Sequence, residues 1–186
     1  WEAENFHFVP SNFAFLSNHL RMMGYNGVDG ILADLGVSSH QFDAEDRGFS
    51  IRSNAPLDMR MNQSGDLSAQ QVVNEYEEYE LIKLFRNFGE LANAKRVAAE
   101  IVKARTVRKI KTTADLMKVL GSCAPKFKEH KFFAQVFQAI RIEVNGELNV
   151  LEKFLEQTAQ CIKSGGRLVV MSYHSLEDRI VKNLIQ

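Results

Sequence analysis

The sequence predicts an α/β fold that carries an inserted all-helical domain. Two short patterns of buried parallel strands, 28–35 (VDGILADL) and 167–173 (RLVVMSY), stand far apart in the chain, each beside a helical pattern. That order gives a parallel sheet with right-handed crossovers. Between them, residues from about 66 to 122 read as helix throughout, without a strand pattern, and this shift marks the insertion. The expected division is 1–46 with 132–186 for the α/β domain and 47–131 for the helical one. At 186 residues, 45% apolar and 25% charged, the chain has an ordinary globular balance.

The elements follow in order. Residues 6–9 are apolar and stopped by Pro10, which suits a strand end. Ser11 and Asn12 are capping types. After them Phe13, Leu16, Leu20 and Met23 recur at helical spacing as far as Gly24. Residues 43–66 are polar and broken by Gly48, Pro56 and Gly65, an irregular loop of a length that is usually functional or disordered. Ser68 opens a run of helices: Val72, Val73 and Tyr76; Leu81, Leu84 and Phe85; Val97, Ala98 and Ile101; then 113–120, capped by Thr112 or Thr113. Phe133, Val136, Phe137 and Ile140 begin a long helical pattern, which Asn145-Gly146 divides or kinks. Gly165-Gly166 reads as its C-terminal cap. Ser175 with Asp178 reads as the capping box of a last helix.

Composition excludes several classes. No run approaches about 18 apolar residues, so no membrane-spanning helix is expected. Cys123 and Cys161 are too few for a disulfide framework, and a reducing, cytoplasmic setting is the expectation. There is no P-loop, no G-x-G-x-x-G, no G-x-S-x-G elbow and no zinc-type spacing, so no metal is expected. Trp1 is not an initiating residue and the chain opens in mid-pattern, which predicts a piece of a longer protein. The net charge is zero, but residues 95–131 hold eleven basic and three acidic groups, net +8. Such a stretch is either a solvated helical face or an attractor of phosphate.

Both strand patterns end in polar residues: Asp34-Leu35-Gly36-Val37-Ser38-Ser39 and Ser172-Tyr173-His174-Ser175. Ligands of open parallel sheets bind outside the carboxyl ends of the strands. Asp34, Ser38, Ser39 and His174 are therefore the candidate catalytic residues along one rim. Turn and cap chemistry is the competing explanation for the serines, and a satisfied structural group is the competing one for the histidine.

The strings GILADLGVSSHQFD (30–43), DRGFS (46–50), PLDMRM (56–61), FQAIRIEVNGEL (137–148) and GGRLVVMSYHSLEDRIVK (165–182) together resemble the MraW family of ribosomal RNA methyltransferases. The resemblance covers nearly the whole chain from about Phe13. It implies a Rossmann-like methyltransferase fold, here with an incomplete sheet, and an inserted helical substrate domain. It implies S-adenosylmethionine as cofactor, and transfer of one methyl to the N4 amino group of a cytosine at the decoding centre of small-subunit (16S) ribosomal RNA. Asp34 matches a cofactor-contacting acid, Gln41 the next contact, and Phe13 an aromatic beside the adenine. The family's G-x-G-G-H-S loop and its ribose-binding acid would lie before Trp1, so these 186 residues alone are expected to bind cofactor weakly or not at all and to be inactive. His40 stands for the more usual Pro and Tyr173 for Phe.

Arg96, Lys103, Arg105, Arg108, Lys109 and Lys111 are then expected to track RNA phosphates. Arg47, Arg60, Arg141 and Asn145, within the matching strings, are further RNA candidates. The expected partner is small-subunit ribosomal RNA within the 30S subunit. Exposed sheet edges would favour pairing of two copies as a homodimer. Many amino methyltransferases carry an aromatic stacker at the first strand's tip; Asp34-Leu35-Gly36 has none, so the stacker must come from elsewhere. The alternative function is a non-enzymatic RNA-binding or ribosome-assembly module that keeps the fold.

Overall fold

A computed structural model describes residues 6–38, 41, 42, 44 and 46–185. The chain forms two compact units, one of residues up to 36 together with 147 onward, the other of 37–146. The expected limits at 46 and 132 both fall inside the second unit.

In the first unit a 3-10 turn, Phe13–Phe15, leads into α1, Leu16–Met22. The Asn12 side chain caps the turn by accepting from the Ala14 amide at 2.8 Å. Strand β1 is Val28–Asp34 and strand β2 is Ile162–Met171. They pair in parallel, in register from Gly30 opposite Arg167 to Asp34 opposite Met171. The two patterns, whose paired residues stand 137 apart in the sequence, are thus neighbours, and their carboxyl ends lie side by side.

Alternation along the strands sorts the side chains by face. Ile31, Ala33, Leu168 and Val170 point inward, onto a core of Leu35, Leu151, Phe154 and Leu155. Leu151, Phe154 and Leu155 come from α7, Glu147–Cys161, and Ile180 and Val181 from α8, Ser175–Ile185. The other face presents Leu32, Val169 and Met171, 69%, 50% and 42% exposed.

Three expectations are corrected in this unit. Residues 6–9 form no strand: Phe6 and Phe8 are exposed, and no ladder pairs their backbone among the described residues. Gly165-Gly166 does not cap a helix. Helix α7 ends at Cys161, and both glycines lie in the irregular start of β2. A Cβ on Gly166 would sit 2.5 Å from Ile162 Cγ2 of the same strand and 2.9 Å from the Asp29 carbonyl of β1, and this crowding from both strands explains the glycine. The last helix starts at Ser175 itself, so its cap is His174.

The second unit is helical. Its elements are α2, Ala69–Glu75; α3, Glu78–Asn87; α4, Ala94–Val107; α5, Thr113–Leu120; and α6, Glu129–Asn145. The capping boxes at Ser68/Gln71 and Thr112/Asp115 form as the residue types predict. Apolar faces of these helices meet in one core, where Val72, Leu81, Phe85, Val97, Ile101, Leu116 and Ile140 are fully buried. Cys123 and Cys161 are free, buried thiols. Gly146, at φ 57°, breaks the long helical pattern in two; a left-handed residue cannot continue a helix.

The loop after residue 43 has no helix or strand in its described part, yet it is anchored. Leu57 and Met59 are buried in the helical core, and Pro56 bridges to Thr112. Met59 takes a left-handed backbone at φ 59°, held by hydrogen bonds from its surroundings.

Candidate functional site

The polar rim of the first unit is built on the two strand tips. The Leu35 amide donates to the Met171 carbonyl at 3.1 Å and carries the pairing to the end of β1. Beyond it the Asp34 side chain is exposed. Its Oδ1 accepts a hydrogen bond of 2.7 Å from the Tyr173 hydroxyl. That bond and the carboxylate charge hold the phenol above its ordinary pKa, since the proton is shared with an anion.

Tyr173 is fixed at its backbone as well. Its amide donates to Glu177 Oε2 at 2.9 Å. The buried Glu177 amide in turn donates to His174 Nδ1 at 3.3 Å, which makes His174 the helix cap. The Asp178 amide closes the first turn on the His174 carbonyl at 3.2 Å. A chain of contacts therefore runs from Asp34 through Tyr173 and Glu177 to His174. The two predicted residues that this rim brings together are Asp34 and His174.

Glu147, at the start of α7, joins this cluster: one ligand atom each from Glu147, His174 and Glu177 lies within 4.8 Å of the others. Nδ1 already accepts the Glu177 backbone N–H, which leaves only Nε2, 3.4 Å from Glu177 Oε1, for a metal, without the N–H on the second ring nitrogen that usually orients a metal-bound imidazole. The arrangement is a buried imidazole–carboxylate anchor for the tip of β2. Phe13 belongs to the same unit, 43% exposed, with its ring edge-on to Phe154 at 5.2 Å.

The remaining candidates lie in the second unit. Ser38 and Gln41 bond each other: the Gln41 amide donates to Ser38 Oγ at 3.2 Å, and the Ser38 amide to Gln41 Oε1 at 3.2 Å. Ser39 lies outside the described residues. Arg47 Nη2 donates to the carbonyls of Arg60 and Met61, and Arg60 forms a bidentate pair with Asp58 at 2.8 Å plus a bond to the Gly65 carbonyl. The Arg60 guanidinium holds the Asp58 carboxyl below its usual range. Asn145 uses its whole carboxamide on backbone: Oδ1 accepts from the Met61 amide at 2.7 Å, and Nδ2 donates to the carbonyls of Met59 and Arg141.

Of the basic candidates, Arg105 donates to the Val73 carbonyl and Arg96 to the Ser122 carbonyl. Lys103, Arg108, Lys109 and Lys111 are exposed, on α4 and the segment after it. Arg141 lines a cavity of about 210 Å³ with Phe42, Phe49, Phe137, Arg52 and His130. Arg52, His130, Tyr173, Glu147 and Glu177 were not singled out as site residues from the sequence. The usable signal for Tyr173 was its place at the carboxyl end of a strand pattern; Arg52 and His130 carried none.

The sequence pattern of the MraW methylase family matches residues 2–186. Similar curated proteins share one name, ribosomal RNA small subunit methyltransferase H. That of Cytophaga hutchinsonii is 52% identical over 182 residues, which cover 98% of this chain and 61% of the relative. That of Flavobacterium johnsoniae is 55% identical over 183 residues, with 98% and 61% covered. That of Amoebophilus asiaticus is 50% identical over 186 residues, with 100% and 60% covered. The chain thus spans about three fifths of the length of these relatives. No helix among the described residues is long and apolar enough to cross a membrane.

Proposed function

Because the chain belongs to the MraW methylase family, we propose that its full-length protein transfers a methyl group to small-subunit ribosomal RNA. The acceptor in this reading is the N4 amino group of a cytosine at the decoding centre. The names of relatives that are 50–55% identical support the RNA substrate. The observation that carries the chemistry is the exposed Asp34 carboxylate at the tip of β1, oriented by the Tyr173 hydroxyl at 2.7 Å. It stands where ligands of parallel sheets bind.

The residues present fit part of an S-adenosylmethionine site. Asp34 offers an unburied carboxylate, and Phe13 an open aromatic surface in the same unit. These two would hold the cofactor, which supplies an electrophilic methyl group when bound; Gln41 is a further contact implied by the family resemblance alone. The protein's own part is positional and electrostatic. A cytosine amino nitrogen is a poor nucleophile because its lone pair is delocalised into the ring, so it has to be held in line with the methyl group. As positive charge develops on that nitrogen, an acceptor for its hydrogen stabilises the transition state, and Asp34 or a backbone carbonyl beside it fills this role.

The base must also leave its stack, which costs least in non-duplex RNA. Lys103, Arg108, Lys109 and Lys111 place their charge on the helical unit, free to follow phosphates as positioning contacts. In this reading the helical unit recognises the RNA and the α/β unit does the chemistry.

The test is full-length protein, labelled S-adenosylmethionine and small ribosomal subunits lacking the modification, with the RNA digested to nucleosides. Label in N4-methylcytidine is expected. Label at another position of cytosine overturns the N4 assignment. RNA binding with no transfer marks the non-enzymatic assembly module instead.

A further inference from the structure

We propose that Tyr173 is the aromatic platform on which the target base stacks, and that its hydroxyl sets the orientation of Asp34. This rests on the methyltransferase reading above and adds a residue to it. The first observation is exposure: Tyr173 is 66% accessible, at the tip of β2 beside Asp34. The second is restraint. An exposed tyrosine ordinarily samples several rotamers, but this one is tied at both ends. Its hydroxyl donates to Asp34 Oδ1 at 2.7 Å, a length typical of a charge-assisted bond, and its amide donates to the buried Glu177 carboxylate at 2.9 Å.

The third observation is support. The ring edge lies over Gly36, where a Cβ would meet Tyr173 Cδ2 at 3.6 Å. The side chain is therefore ordered before any ligand arrives, while much of it stays open to solvent. Ordering in advance lowers the entropic cost of binding, and an aromatic face accepts the face of any unstacked nucleobase.

The ligand class follows from the neighbours. A carboxylate beside an open aromatic surface suits a planar heterocycle that bears an amino group: the ring stacks, and the amino hydrogen meets the acid. Cytosine extruded from non-duplex RNA has that form. The aromatic stacker that the turn Asp34-Leu35-Gly36 lacks is thus supplied by the neighbouring strand.

The experiment compares Tyr173→Phe, Tyr173→Leu and Tyr173→Ala in the full-length protein. Methyl transfer to small-subunit RNA gives kcat and KM, and calorimetry gives S-adenosylmethionine affinity. Tyr173→Ala should lower kcat/KM for RNA by about 5- to 150-fold, the range of one lost base–aromatic stack. Tyr173→Phe should restore KM for RNA and keep a deficit in kcat of about 3- to 10-fold, from the lost bond to Asp34. Tyr173→Leu, with bulk but no aromatic face, should resemble Tyr173→Ala. Cofactor affinity should stay within about threefold throughout.

A Tyr173→Ala variant as active as wild type, a leucine variant as good as phenylalanine, or a phenylalanine variant with the KM defect of alanine overturns the proposal. So does a loss confined to cofactor affinity, which would place the ring against the cofactor. Thermal melts check the fold, which an exposed side chain should disturb little. Wild-type protein that transfers no methyl overturns the functional reading and this role with it; an active wild type with an unimpaired alanine variant overturns this role alone.

Discussion

The helical unit and the α/β unit use their residues in opposite ways. The helical unit closes on itself: Phe85, Leu116 and Ile140 are fully buried, and Arg47, Arg60 and Asn145 turn their polar groups onto their own loop and helix backbone. The α/β unit packs one sheet face and leaves Leu32, Val169 and Met171 on the other. Two of its exposed groups, Asp34 and Tyr173, meet at the strand tips. A finished interior suits a platform that must keep its shape. An open rim suits chemistry, because reacting groups have to be reached.

This contrast can be broken most directly by removing one large apolar side chain from each unit. Phe85→Ala should cost about 3–5 kcal/mol, the cost of a cavity in a closed core. Leu32→Ala, at a position 69% exposed, should cost less than about 0.5 kcal/mol. Chemical denaturation measures both, and equal losses would refute the contrast.

The next effect in size concerns Asn145. Its alanine variant leaves the Met61 amide and the Met59 carbonyl without the side chain that holds them. A loss of about 2–3 kcal/mol is expected. Hydrogen exchange should show faster exchange at the Met61 amide. Unchanged protection would mean that the loop holds Met59 in its left-handed conformation without this residue.

The smallest effect is a pH dependence. The Arg60 guanidinium depresses the Asp58 carboxyl in the folded state, so folding favours the ionised form. The resulting stability is fully present above the unfolded carboxyl value of about 4 and is lost as pH falls through the lowered folded value. Wild type and Asp58→Asn should therefore differ at neutral pH and converge in acid. Parallel acid-unfolding curves would remove the pair from the account.

Local signals were legible in the sequence wherever local physics decides. The capping residues Ser68 and Thr112 act with partners three residues away, and both boxes form. The apolar runs around Ile31 and Leu168 both become strands, though with one face open where burial on both was expected. Long-range facts were not legible. Residues 6–9 look like a strand, but a strand needs a partner. Gly165-Gly166 look like a helix stop, yet Gly166 is hemmed in by Ile162 and by the Asp29 carbonyl from a distant part of the chain. Tyr173 meets Asp34 across 139 residues, and Asn145 meets Met61 across 84. His174 is visible as a polar residue after a strand; its part as a helix cap appears only once Ser175 is seen to be the first helical residue.

The account stands on the rim formed by the tips of β1 and β2 as the place of methyl transfer. The most direct measurement is the transfer rate of full-length Asp34→Asn on small-subunit RNA, with thermal melting to confirm its fold. The rim account predicts a fall of about 100-fold or more, the scale of losing one group that stabilises developing charge. A folded variant that transfers methyl within about threefold of the wild-type rate would contradict it.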